Sequence, residues 1–338
     1  MTMAQALMLT AADVRPIAEA RRLGAIDVQH GPIGDLAVSA DGSTILTTNS
    51  AADSVSVLDA GSLTLDGLVP VLGDPYAVVM AGDRAFVAAA SVTCDAVSAV
   101  DSSAMDFLAS LPLDLNHLSV APSHGGRRLL VAGTGHECAE LAIIDVESGR
   151  ANRVFLDADT VDAVRVAPNG RLVDVAASDA DNGCVFVVDP AKGRVVGAVP
   201  TASPIRDLEL SRDGSVAYAL GCDPEYGGVV ETIDTTAHRV LATAWIGGFP
   251  TQFALGADGT RMYLVDVDHV AVWCTITNEI VDTITVGALP SCVAVSHDTL
   301  YVADYSGTVT AFEVPLPSFD DVIDVETLAL TARELEPV

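Results

Sequence analysis

Residues 250–266 read PTQFALGADGTRMYLVD. A proline leads into an apolar run, an Asp-Gly pair reverses the chain, and a second apolar run follows. Apolar alternation on both sides of Asp-Gly is a hairpin signal, because these residues tolerate the positive φ that a tight turn requires. The pattern returns about every 40 to 46 residues, as PIGDLAVSADG from Pro32, PYAVVMAGD from Pro75, NHLSVAPSHGG from Asn116, VDAVRVAPNG from Val161, PIRDLELSRDG from Pro204 and PSCVAVSHD from Pro290. With residues 250–266 that makes seven units. Self-similarity at this period marks a repeat fold in which each unit is one small sheet.

Each unit continues into a third apolar run, ending at Asp59, Asp101, Asp145, Asp189, Asp234, Cys274 and Glu313. Fourth runs such as RVVGAVP and IVDTITVG lead to the next unit, but none follows Glu313. The stretch ARRLGAIDVQHGP resembles a fourth run and precedes the first unit. The expected fold is therefore all-β: a seven-bladed β-propeller of four-stranded antiparallel blades, with residues 20–28 completing the last blade and closing the ring. Residues 1–19 read as an N-terminal extension, 20–314 as the propeller and 315–338 as an acidic tail. In that tail DVETLALTAREL has the apolar spacing of a short helix starting at Asp324.

PTQFALGADGTRMYLVD, PSCVAVSHDTLYVAD and PIGDLAVSADG resemble the YVTN β-propeller repeat, and the likeness covers residues 20–314. The resemblance implies the propeller fold. It leaves activity open, since the family's relatives include surface or periplasmic binding propellers as well as lactonase-like enzymes. The G-H and W-D pairing of WD40 blades and the diglycine spacing of kelch blades are both missing.

A formal charge of −29 would repel nucleic acid and anionic membrane, so neither is expected as a partner. No run of about 20 apolar residues suggests a membrane span. The N-terminal MTMAQALMLTAADVRP lacks a basic segment ahead of its apolar run, and the chain reads as cytoplasmic. None of the six cysteines forms C-x-x-C, so reduced thiols are expected.

Aligning the units on the residue before each apolar strand start gives a ring of Asp35, Ala77, His117, Ala163, Asp207, Gln252 and Cys292. With Tyr76, Asp162 and Arg206 from the preceding position, the polar members form a candidate ligand funnel at the central channel. His117, His136 and Asp207 are the candidate ligands for a divalent metal. The second-to-third-strand loops would share that face and add Asp179, Asp181, Asp223, Glu225, Asp266 and Asp268. The D-A-D-N-G run at 179–183 resembles a calcium loop but lacks the later glutamate. No G-x-S-x-G, Walker or dinucleotide motif appears. The expectation is a non-catalytic binding scaffold presenting an acidic funnel to a small molecule, cation or partner protein. The alternative is a metal-assisted hydrolase, lactonase or lyase at the same funnel.

Overall fold

The computed structural model of the chain describes residues 20–92, 94–287 and 289–314, and it gathers them into seven four-stranded antiparallel sheets. Blades 1 to 6 span 33–70, 74–112, 116–155, 160–201, 205–245 and 252–285, and blade 7 takes its three inner strands from 290–313. The fourth strand of blade 7 is Arg21–Asp27, which pairs antiparallel with Thr308–Glu313. The ring thus closes through the N-terminal strand, and every third strand ends at the residue read from the sequence. The extensions 1–19 and 315–338, with the helix expected in the second, lie outside the described residues.

Side chains alternate across each strand, so one face of a blade meets the preceding blade and the other meets the next. Leu46, Val55 and Val57 of blade 1 pack against Val78, Val87 and Val100 of blade 2. Tyr218 and Leu220 of blade 5 pack against Phe253, Met262 and Trp273 of blade 6, with the Tyr218 and Trp273 rings edge-on at 6.0 Å. The closing seam is packed like the rest: Ile33, Leu36, Ile45 and Leu58 of blade 1 meet Tyr301, Ala303 and Val309 of blade 7.

The outer strands mesh by knobs and holes. Gly24, Gly67 and Gly197 each lie against Leu63, Met105 and His238 respectively, and these are positive-φ hairpin residues of the following blade. Where the outer strand carries Ala109 or Asn152 in place of glycine, the next hairpin has Gly149 or Gly193 and no knob. Hole and knob therefore coincide at these five junctions; between blades 5 and 6, positive-φ Asn278 stands in the hairpin although the outer strand carries Ala242. Gly197→Val is expected to lower stability by about 1–3 kcal/mol through overpacking. Most of that loss should return in a His238→Gly background, read by urea unfolding of the two single variants and the double. Equal losses in both backgrounds would refute the pairing.

Candidate functional site

The innermost strand of a blade is paired along one edge, and its other edge faces the propeller axis. Backbone N–H groups on that open edge need partners from outside the sheet. In five of the seven blades, the preceding blade supplies one from a side chain. Asp35 Oδ2 accepts the Val78 N–H at 2.9 Å, and Tyr76 Oη accepts the Leu118 N–H at 2.6 Å. Ser119 Oγ accepts the Val164 N–H at 3.0 Å, Asp207 Oδ2 the Phe253 N–H at 3.1 Å and Gln252 Oε1 the Val293 N–H at 3.0 Å.

The remaining two junctions explain the aspartates. Blades 4 and 7 carry Ala163 and Cys292 at the ring position, and neither offers an oxygen to the blade that follows. The amides left over, Leu208 N–H and Leu36 N–H, are taken by the Oδ1 atoms of Asp207 and Asp35 from the same blade, at 2.8 and 2.9 Å. A carboxylate with two acceptor oxygens serves its own blade and the next one at once. The Gln252 side-chain amide adds a donor to Asp35 Oδ1 at 3.4 Å, which links blade 6 to blade 1 past the small Cys292.

Arg165 of blade 4 completes the hub. Its Nη2 lies 2.9 Å from Asp207 Oδ1 and 3.1 Å from Glu209 Oε1, and its Nη1 donates to the Val164 carbonyl at 3.1 Å. Burial pushes the Asp35 carboxyl up to about 6, against the amides that favour its charged form, and nearby Asp207 adds to the rise. Burial likewise raises Asp207 and Glu209, although Arg165 pulls both down. Burial of Arg165 works against its charge, but Glu209 and Asp207 outweigh it and hold the guanidinium protonated.

The other expected site residues are placed as follows. Tyr76 donates its hydroxyl to Asp95 Oδ2 at 2.7 Å, and the same oxygen accepts the His117 N–H at 2.8 Å. His117 adopts φ 52° and its residue is exposed. Asp162 accepts the Ser178 hydroxyl at 2.6 Å, and burial raises its carboxyl to about 6. Arg206 is exposed at the channel mouth. Cys292 is buried, which pushes its thiol well up and disfavours a reactive thiolate. His136 lies on an exposed loop, its Nε2 3.7 Å from Asp114 Oδ1. Among the described residues no group of three or more His, Cys, Asp or Glu comes together to hold a metal, so His117, His136 and Asp207 are not assembled as a ligand set. Asp179 holds the Asn182 N–H of its own turn at 2.8 Å.

Arg165, Glu209, Asp95, Ser119 and Ser178 escaped the sequence reading. Register puts Ser119, not His117, at the ring position of blade 3, because the strand is irregular between Asn116 and Ser119. Arg165 and Glu209 occupy one position, two residues beyond that ring, where Ala37, Val79, Ala121, Ala254 and Ala294 stand in the other blades. Opposite charges on adjacent blades at an otherwise apolar position were the available signal.

The two ends of the propeller differ. At the hairpin end, bonds from serine hydroxyls (Asp41, Asp59 and Asp145) or from turn amides (Asp101, Asp213 and Asp234) do most to hold these carboxyls below the usual carboxylate range. A cavity of about 400 Å³ opens there between blades 7 and 1, beside Leu23, Gly42, Leu63 and Tyr301. At the loop end, where inter-blade and second-to-third-strand loops meet, blades 5 to 7 expose Tyr226, Trp245, Phe249, Val267, Leu289 and Tyr305, each more than half accessible. They form neighbouring pairs. The Tyr226 and Trp245 rings meet edge-on at 5.4 Å. Asp266 Oδ1 accepts both the Phe249 and Val267 N–H groups, at 3.0 and 2.7 Å, and the Tyr305 N–H donates to the Leu289 carbonyl at 3.2 Å. Gly228 N–H to the Gly247 carbonyl ties the first pair's loop to the second's.

No protein-family model matches the chain. It is 33% identical to the seven-bladed beta-propeller protein Rv1057 of Mycobacterium tuberculosis, over 91% of this chain and 88% of that protein. It is 40% identical to a seven-bladed beta-propeller protein of Mycolicibacterium smegmatis, over 76% of this chain and 70% of that one. Among solved structures, the Kuenenia stuttgartiensis hydrazine synthase superposes with a TM-score of 0.76 at 19% identity, covering 86% of this chain and 98% of that one, a likeness of fold.

Proposed function

The chain belongs to the seven-bladed β-propeller protein family, and from that premise we propose that it is a non-catalytic binding scaffold whose loop end receives the partner. The arc of exposed Tyr226, Trp245, Phe249, Val267, Leu289 and Tyr305 carries this reading. Large apolar groups gathered at one place on a surface mark an interaction site, whereas scattered ones do not. The motif resemblance to YVTN repeats, which include binding propellers, agrees with it, and action in the cytoplasm is part of the same proposal. At the channel, Asp35, Asp207 and Gln252 already accept amides from neighbouring blades, which favours a structural hub there over a ligand funnel.

The test places a photo-crosslinking amino acid at Phe249 on the loop end or at Ile276 on the hairpin end, in living cells. Adducts are expected from position 249 and not from 276; the reverse pattern would sink the proposal. Elemental analysis of the purified protein should find well below one equivalent of zinc, calcium, magnesium or manganese. About one equivalent would revive the metal-assisted hydrolase.

A further inference from the structure

Which partner fits the arc follows from its charge and shape, and the inference rests on the loop-end reading above. The segments that carry the arc are residues 221–228, 245–251, 266–269, 286–289 and 304–307. They contain Asp223, Glu225, Asp266, Asp268 and Asp304 and no lysine or arginine. Three of these acids build the platform. Asp223 accepts the Glu225 and Tyr226 N–H groups, Asp266 those of Phe249 and Val267, and Asp304 that of Ser306. Asp268 bonds His269 Nδ1 at 2.8 Å. Glu225 is exposed beside Tyr226 and has no ion pair among the described residues.

We propose that the occupant is a polypeptide segment in which arginine or lysine alternates with large apolar side chains. Apolar side chains would cover the arc, and the cations would lie over the Trp245, Tyr226 or Tyr305 rings and against the carboxylates. The arc spans blades 5 to 7 through five separate strand connections. That spread suits an extended segment better than a small molecule, which needs one concave site. The hairpin end is acidic too and exposes aliphatic side chains such as Met105 and Ile276, but among the described residues its turns carry no exposed aromatic ring. The coincidence of acid with exposed aromatic rings therefore favours the loop end.

The full-length protein is used to select from a displayed library of random 12-residue peptides. A Trp245→Ala/Phe249→Ala variant, checked for unchanged circular dichroism, serves as the counter-target. Because that variant keeps the net charge of −29, non-specific attraction of basic peptides is subtracted. Enriched peptides are expected to combine Arg or Lys with Trp, Phe or Leu and to quench Trp245 fluorescence. Their affinity should fall about tenfold between 0.05 and 0.5 M NaCl. Affinity should also drop in Glu225→Gln/Asp268→Asn. Peptides that depend on the arc but are neutral or acidic would overturn the partner chemistry while leaving the loop-end reading standing. Absence of any peptide that distinguishes the protein from its arc variant would overturn both.

Discussion

Asp207→Ala is expected to cost about 3–5 kcal/mol, the loss seen when one member of a buried ion pair is removed. Asp207 is 6% exposed and holds three groups at once: the Leu208 N–H, the Phe253 N–H and the Arg165 guanidinium. Truncation strands the two amides, each worth about 1–3 kcal/mol when left unsatisfied, and leaves Arg165 with Glu209 as its one ion pair and Asp35 as a more distant carboxylate. Asp207→Asn keeps one acceptor oxygen and should fall between wild type and alanine. Urea unfolding measures both. A loss below about 1 kcal/mol for alanine would mean that the hub amides have other partners. The same reasoning makes Asp35 and Asp207 poor probes of ligand binding, since a variant that loses binding has first lost the hub. Arg206 and His117, both exposed, are better probes of the funnel that the sequence suggests.

The second large effect runs the other way. Asp174→Leu is expected to stabilise the protein at neutral pH by up to about 4 kcal/mol. Asp174 is 2% exposed, and its Oδ1 has no hydrogen-bond partner. The equivalent residues of the other blades, from register, are Leu46, Phe86, Leu130, Tyr218, Tyr263 and Tyr301. Burial raises its carboxyl from 3.8 to about 7. The folded state therefore binds more protons than the unfolded state between those values, and the Asp174 contribution to stability falls as pH rises from about 4 to about 7. Above that window the penalty is complete; below it the ionisation penalty disappears. Asp35 and Asp162, each raised to about 6, slope in the same direction, so the informative quantity is the difference between wild type and variant. Thermal unfolding from pH 4 to pH 8 should show the leucine advantage growing with pH. An advantage that stays flat would show that Asp174 remains uncharged, or finds a partner, throughout.

The architecture was legible because it is local. Each hairpin carries its own turn chemistry and every third strand but that of blade 6, which ends at Cys274, its own terminal acid, and repetition supplied the blade count. Even the closing strand could be read, since residues 21–27 match other fourth strands. The hub was half legible. Alignment placed Asp35, Asp207 and Gln252 on one ring, but what their oxygens do depends on what the neighbouring blade lacks. Ala163 and Cys292 decide the matter by having nothing to offer, and a reading that searches for chemistry-bearing residues passes over them. The loop-end arc was invisible for another reason. Tyr226, Phe249, Val267, Leu289 and Tyr305 each stand in a short loop of a different strand connection, and only ring geometry sets them side by side. Arg165 was missed because a single arginine in an apolar strand gives no sign of which neighbour will face it.

The pairing of Arg21–Asp27 with Thr308–Glu313 also sets an order of events during synthesis. A ribosome releases the first of these segments hundreds of residues before the second. Blades 1 to 6 are each complete in four successive strands and can form as they emerge. The first segment meanwhile has no strand to pair with and trails from the growing chain with a free edge. The last act of folding joins the earliest-made strand to the latest-made one. Until then, a nascent chain stalled late in translation carries the free edge of its first strand, and the last blade of a neighbouring copy on the same message could fill it.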